Sequence, residues 1–141
     1  MDTAKFLGSV SLFTTLDDGA REQLAKVLER KDFREGENIF FAGDPGDSLL
    51  IVVRGAVEVF ITDSDTGVEI PLKRFGIGEY LGEMSLISGE PRSASAKASS
   101  DTTLALLTQA SFRRVINHVP SVSLALSEEL VRRIQKINHT K

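Results

Sequence analysis

The 141-residue chain contains no cysteine, which excludes a disulfide framework and any metal site built from thiolates. Its two histidines, His118 and His139, both follow the region in which strands are expected. A metal-dependent jelly-roll enzyme needs histidines inside its barrel, and so does a Ser-His-Asp or Cys-His set placed there. We therefore expect neither a metal site nor an enzymatic activity.

Long hydrophobic runs and a strong charge of one sign are also absent. No apolar stretch approaches the ~18 residues of a membrane span. The first residues, Met1–Lys5, do not show the basic segment and apolar run of a signal peptide. The net charge of −3 gives no electrostatic reason to expect nucleic-acid binding. We expect a cytoplasmic protein without a membrane span or a nucleic-acid partner.

The remaining composition is that of an ordinary globular domain. Hydrophobic residues make up 41% of the chain and charged residues 26%, and the length suits one hydrophobic core. We predict a single domain over residues 1–141. A helix is predicted over 17–30, because Asp17 or Asp18 can cap it and the apolar residues that follow recur at helical spacing.

Residues 31–108 have the pattern of a β domain. Short apolar and β-branched runs alternate with glycine turns, which favours a β-sandwich or a jelly-roll barrel. The predicted strands are Ile39–Phe41, Leu49–Val53, Val57–Ile61, Val68–Lys73, Ser95–Ala98 and Leu104–Leu107. The turn between the first two, residues 43–48, is interpreted as structural rather than as ligand-binding.

Helical spacing returns after Thr108 and predicts helices over 110–139. Phe112 and Val115 begin one apolar face, and Pro120 marks a bend or a new helix start. A longer amphipathic stretch follows, in which an apolar stripe ends at Ile137. We expect this stripe to pack against the β domain or a second copy of the chain.

One short segment offers the groups that bind a phosphate and a sugar. Gly82 lets the backbone approach a ligand, and residues 84–87 can form one helical turn whose first N–H groups favour an anion. Arg92 adds a planar cation suited to phosphate. A carboxylate would repel a phosphate, so Glu83 is assigned to a sugar hydroxyl. The alternative is that Glu83 and Arg92 form a surface ion pair.

The run Gly82-Glu83-Met84-Ser85-Leu86-Ile87-x-Gly89-x-Pro91-Arg92-Ser93-Ala94 resembles the phosphate-binding cassette (82–94) of the cyclic nucleotide-binding domain family. This family includes the ligand-binding domains of catabolite activators and protein kinase A regulatory subunits. The resemblance implies a mainly β fold with flanking helices: an eight-stranded jelly-roll barrel, an N-terminal helical segment, a short phosphate-binding helix and C-terminal hinge and lid helices.

The resemblance also assigns roles within the site. It implies that Glu83 binds the ribose 2′-hydroxyl and that Arg92 binds the exocyclic phosphate oxygens. The backbone N–H groups at Met84 and Ser85 would complete the cradle. Ser93 permits cyclic GMP without demanding it, so cAMP is favoured and cGMP stays open.

Contacts with the purine base are expected from apolar residues and from the lid. Leu72, and then Ile61, would form a wall of the base pocket. Arg133 or Ile134 on the last helix would meet the base from the other side.

By this resemblance the chain is a sensor that binds a cyclic nucleotide, needs no other cofactor and moves its C-terminal helices. The output would lie in an effector protein or in a covalently linked domain outside this chain. The last helix could also form a homodimer. The alternative is a degenerate barrel that serves as a protein-interaction module without ligand.

Overall fold

The structure is a computed structural model that describes residues 3–14, 16–121 and 124. These residues divide into two compact units, one of 28–109 and one of the described residues on either side of that range. The first unit contains all of the strands, and the second contains the flanking helices.

Eight strands form two four-stranded antiparallel sheets in the unit of 28–109. Their bounds are β1 Glu29–Phe33, β2 Asn38–Phe40, β3 Ser48–Arg54, β4 Val57–Thr62, β5 Glu69–Phe75, β6 Tyr80–Leu81, β7 Ser95–Ala98 and β8 Thr102–Thr108. The first sheet has the order β1-β8-β3-β6 and the second β2-β7-β4-β5. Apart from the β4–β5 hairpin, neighbouring strands are not consecutive in the sequence, as in a jelly roll, and the predicted mainly β fold with flanking helices is confirmed.

The core of this unit lies between the two sheets. The first sheet supplies Leu50, Val52 and Leu104, and the second supplies Val57 and Ala96, all of them buried. The central strand β3 is apolar over nearly its whole length and is buried except at its last residue. Such continuous burial explains why its apolar run was visible in the sequence.

Strand β1 was not predicted. The sequence favoured a helix to about Arg30, but the helix ends at Val27 and Glu29 already pairs with Leu106 of β8. The residues of β1 before Phe33 are all exposed, so they carry no apolar alternation that would indicate a strand. Hydrogen bonding to β8 decides their conformation instead.

The other unit contains α1 (Thr3–Leu7), a 3₁₀ turn (Ser11–Phe13), α2 (Asp18–Val27) and most of α4 (Gln109–His118). Asp17 is the cap of α2, since its carboxylate accepts the N–H of Ala20 at 2.8 Å. Helical backbone resumes at Pro120, the new helix start that the sequence allowed.

Candidate nucleotide-phosphate site

The predicted cassette has the backbone that its sequence indicates. Strand β6 ends at Leu81, Gly82 adopts a φ of +86°, and helix α3 (Glu83–Ser88) follows directly. The N–H of Leu86 donates to the carbonyl of Gly82 at 3.2 Å and closes the first turn of the helix. Gly89, with a φ of +71°, ends it. The short helical turn predicted between two glycines is confirmed.

Arg92 is a buried cation, with only 8% of its surface exposed. Its Nη2 donates to the carbonyl oxygen of Ser48 at 2.9 Å and lies 3.2 Å from the Ser48 hydroxyl. Its Cζ lies 4.6 Å from the centre of the Phe40 ring, close enough for a cation–π interaction. This burial differs from the exposed surface ion pair that the sequence leaves as an alternative.

Two of the three guanidinium nitrogens, Nε and Nη1, are buried and have no hydrogen-bond partner among the described residues. Leaving a buried donor without a partner costs about 1–3 kcal/mol, and more for a charged group. Buried donors are otherwise satisfied almost throughout native proteins. An anion that reached these two nitrogens would recover the lost hydrogen bonds.

The electrostatics around Arg92 act in opposite directions. Burial lowers the pKa of the Arg92 guanidinium from its ordinary value, whereas the carboxylates of Asp47 and Asp44 raise it. These carboxylates compensate part of the burial without occupying Nε or Nη1. The two carboxylates therefore stabilise the charged form of Arg92, and its Nε and Nη1 donors remain for a ligand.

Gly82 is needed for more than its backbone angle. A Cβ at this position would lie 2.5 Å from Nη1 of Arg92 and 2.9 Å from the carbonyl oxygen of Ser48. The guanidinium therefore packs directly against the Cα of Gly82. The sequence indicated a close approach at this glycine and assigned it to the sugar; in the described structure the approaching group is Arg92.

A loop between β2 and β3 holds the backbone of Arg92. The Arg92 N–H donates to the carbonyl of Asp44 at 2.9 Å, and the N–H of Gly43 donates to the carbonyl of Arg92 at 2.8 Å. The Asp44 carboxylate also accepts the N–H of Phe41 at 2.8 Å. The turn interpreted as structural thus fixes the position of the cassette arginine.

The other cassette residues lie at the start of α3 and directly after Arg92. Glu83 is half-buried at the first position of α3, and the backbone of Met84 and Ser85 lies in the same turn. Ser93 is exposed between Arg92 and β7. Their predicted contacts with ribose, phosphate and guanine stay predictions.

The residues predicted to contact the base are exposed on the second sheet or lie outside the described residues. Leu72 on β5 and Ile61 on β4 are 56% and 39% exposed, and Ile61 pairs across the sheet with Ile70, which is 42% exposed. A register shift in the β4–β5 ladder lies just before the Ile61–Ile70 pair. These exposed apolar side chains can pack against an apolar ligand surface, but their contact with a base stays a prediction. Arg133 and Ile134 lie outside the described residues.

The sequence missed two residues that position Arg92. Ser48 was read as part of a turn, although it follows a Gly-Asp-Pro-Gly-Asp run that places it at the start of a buried strand. Phe40 was read only as a strand residue, and no local pattern indicated a cation over its ring. Both contacts join residues far apart in sequence, which local spacing does not register.

Two features of the described residues bear on the classes of function. No group of three or more His, Cys, Asp or Glu side chains there is arranged to hold a metal ion. Across the same residues, no helix combines the length and the apolar character that a membrane span requires.

Comparison with known proteins places this chain in a family. The family model for the cyclic nucleotide-binding domain matches residues 30–119. A cAMP-dependent protein kinase regulatory subunit from Emericella nidulans is 34% identical over 117 residues, which cover 83% of this chain. The chain spans 27% of the length of that relative.

Two solved structures show the same fold. The N-terminal domain of a transcriptional regulator from Streptomyces coelicolor A3(2) superposes with a TM-score of 0.85 at 33% identity, covering 95% of each chain. The regulatory domain of Toxoplasma gondii PKA, crystallised with cAMP, has a TM-score of 0.77 at 30% identity. That match covers 92% of this chain and 49% of the other.

The fold is mainly β with flanking helices, and the family model covers most of it. The chain belongs to the cyclic nucleotide-binding domain family.

Proposed function

We propose that this chain binds a cyclic nucleotide, with cAMP favoured and cGMP also allowed, and that it acts as a regulatory sensor without enzymatic activity. Arg92 binds the exocyclic oxygens of the cyclic phosphate, Glu83 binds the ribose 2′-hydroxyl, and backbone N–H groups of Met84 and Ser85 complete the phosphate contacts. Gly82 leaves room for the guanidinium of Arg92, which presents its Nε and Nη1 to the ligand. No cofactor besides the nucleotide is needed.

The observation that carries this proposal is the state of Arg92. A buried guanidinium with two unsatisfied nitrogens is unfavourable in the free protein, and a cyclic phosphate supplies oxygen acceptors for both. Part of the free-energy cost of desolvating the cation is therefore already incurred in the folded protein without ligand. A phosphate that binds here gains charge-assisted hydrogen bonds without having to bury the arginine itself.

The choice of cAMP is supported by the relatives. The Emericella nidulans protein is a cAMP-dependent kinase regulatory subunit, and the Toxoplasma gondii domain was crystallised with cAMP. For the base we retain Leu72 and Ile61 as one wall and Arg133 or Ile134 as the lid. The exposed Ser93 lies next to Arg92 and leaves cGMP allowed.

The regulatory output is the movement of the C-terminal helices. A ligand shifts such an equilibrium only by as much as it prefers one arrangement of the helices. The hinge helix α4 begins at Gln109, whose side chain donates to the carbonyl of Leu86 in α3 at 3.3 Å. A phosphate that shifts α3 therefore acts on a residue at the start of the hinge.

The sensor delivers its signal to an effector protein or to a covalently linked output domain. We also retain the homodimer expected through the last helix that the sequence predicts, and no nucleic acid takes part in the proposed interaction. The cytoplasmic location expected from the sequence remains part of this proposal.

Calorimetric titration with cAMP and with cGMP tests the proposal. We expect saturable binding of at least one nucleotide at micromolar or lower concentration, and the tighter of the two defines the preference. AMP is the matched control, because it has the same base and a phosphate that is not part of a ring. If neither cyclic nucleotide binds, the sensor hypothesis is wrong and the chain is a barrel that serves as a protein-interaction module.

A further inference from the structure

Ser48 is the residue that holds the guanidinium of Arg92. It begins strand β3, is 6% exposed, and directs two acceptors to the same nitrogen. Its carbonyl oxygen lies 2.9 Å and its hydroxyl oxygen 3.2 Å from Nη2 of Arg92. The carbonyl belongs to the backbone of the sheet, whereas the hydroxyl is a side-chain group that substitution can remove.

We propose that the hydroxyl of Ser48 is a positioning group for the ligand phosphate, acting through Arg92. This inference rests on the proposed function and names a residue of the same site that the sequence assigned only to a turn. Ser48 does not itself bind the ligand. Its hydroxyl sets the direction in which Nε and Nη1 of Arg92 point.

Three contacts restrain the guanidinium, and they act in different directions. The Phe40 ring lies against its face, and the Cα of Gly82 lies against the edge at Nη1. The ring does not oppose rotation of the planar group within its own plane, and the edge contact opposes it only in the direction towards Gly82. The two acceptors of Ser48 both lie within hydrogen-bond distance of Nη2 and oppose that rotation. If the carbonyl were the sole acceptor, the guanidinium could rotate about that single hydrogen bond.

A purely structural role would have a different consequence. If the hydroxyl served only to satisfy a buried donor, its removal would cost little, since the carbonyl of Ser48 still accepts a hydrogen bond from Nη2. A positioning role instead affects the two nitrogens that have no partner in the described part of the chain. Ligand affinity then falls while the thermal stability of the free protein stays nearly the same.

Three variants separate these roles. Ser48→Ala removes the hydroxyl, and we expect it to weaken cAMP or cGMP binding by about three- to tenfold. Ser48→Thr keeps the hydroxyl at a strand position that tolerates β-branching, and we expect binding close to that of the wild type. Thr102→Val deletes another buried hydroxyl of the first sheet, which bonds Ala56, and should lower the melting temperature without changing affinity.

A second measurement needs no nucleotide. In spectra of protein labelled with ¹⁵N-arginine, a guanidinium held at Nη2 gives separate Nη1 and Nη2 signals, because rotation about its Nε–Cζ bond, which exchanges the two nitrogens, is slow. We expect separate signals for Arg92 in the wild type and in Ser48→Thr, and merged signals in Ser48→Ala. Identical arginine spectra for all three proteins would overturn the proposal.

The titration and the spectra distinguish the two possible failures. If the wild type binds neither cyclic nucleotide, the proposed function fails and the spectra alone decide whether Ser48 orients Arg92. If the wild type binds and Ser48→Ala binds equally well, the positioning role fails and the proposed function stands. Equal weakening in Ser48→Ala and Ser48→Thr also overturns the role of the hydroxyl.

Discussion

Two regions of the β unit bring arginines and carboxylates together, and they differ in how the arginines are solvated. In the cassette region, Arg92 is buried and its Nε and Nη1 have no partner within the described residues. The other region is a cavity of about 570 Å³ lined in part by Arg30, Arg34 and Arg54, which we call the arginine cavity. Its three arginines are exposed, so water can satisfy them.

The carboxylates of the arginine cavity serve the protein itself. Asp32 accepts the hydroxyl of Thr103 at 2.7 Å, Glu37 accepts the N–H of Arg34 at 3.0 Å, and Asp101 accepts the N–H of Glu35 at 2.9 Å. These bonds stabilise the turns at the end of the first sheet. We therefore expect the unmet hydrogen bonds of Arg92 to indicate a ligand site better than the volume of the arginine cavity does.

Replacing the buried arginine and replacing an exposed arginine should give the largest difference in ligand affinity. Arg92→Ala removes the charge-assisted hydrogen bonds to the phosphate, worth about 1.5–3 kcal/mol each, so we expect a loss of at least about 100-fold in cyclic nucleotide affinity. Arg54→Ala makes the same change in the arginine cavity and should leave affinity within about twofold, since a typical surface substitution changes the free energy by less than ~0.5 kcal/mol. Calorimetric titration of both variants measures the difference.

A circular dichroism spectrum like that of the wild type is needed from Arg92→Ala before its affinity is interpreted. Equal affinities for Arg92→Ala and the wild type would contradict the assignment of the phosphate to this residue.

Crowding the buried guanidinium should produce the next largest effect. Gly82→Ala places a Cβ 2.5 Å from Nη1 of Arg92, so the cation must shift and affinity should fall by about 10- to 100-fold, the loss of one charged hydrogen bond. Gly67→Ala is the matched control. Gly67 also has a positive φ, +74°, but nothing lies within 4 Å of its added Cβ.

Both glycine variants carry the backbone strain of an alanine at positive φ, about 1–2 kcal/mol. Thermal unfolding should therefore show a lower melting temperature for each of them, and titration should show a loss of affinity for Gly82→Ala alone. If the two variants bind equally well, the contact between Gly82 and Arg92 does not shape the site.

How much of this could be read from the sequence depends on whether the signal is local. The cassette was recognised because its glycines, Glu83 and Arg92 lie close together in one run of sequence, and the apolar strands were recognised by their composition. Strand β1 was missed because its residues before Phe33 are exposed and its conformation is decided by pairing with β8. The grip of Ser48 on Arg92 joins residues 44 positions apart, and no spacing rule predicts such a contact.

A stability change without a binding change should be found at the edge of the arginine cavity. Thr102 is 3% exposed, and its hydroxyl lies 3.1 Å from the N–H of Ala56, which donates to it. Thr102→Val keeps the shape and leaves that N–H unsatisfied, so we expect about 1–3 kcal/mol lower free energy of unfolding in urea. Nucleotide affinity should not change. Reduced affinity at unchanged stability would mean that this end of the sheet is coupled to the cassette.

The smallest effect is expected when the arginine cavity loses two of its three arginines. In the double variant Arg30→Gln with Arg54→Gln, two exposed cations become neutral, but the hydrogen bond between Thr103 and Asp32 is preserved. We expect the melting temperature and the affinity for cAMP and cGMP to stay close to those of the wild type, because solvated surface charges contribute little to either. Titration at low and at moderate ionic strength checks this, since long-range attraction of the anionic ligand by these arginines would appear mainly at low salt. A loss of affinity approaching that of Arg92→Ala at both salt concentrations would show that exposed arginines also bind the ligand, and burial would no longer distinguish the two regions.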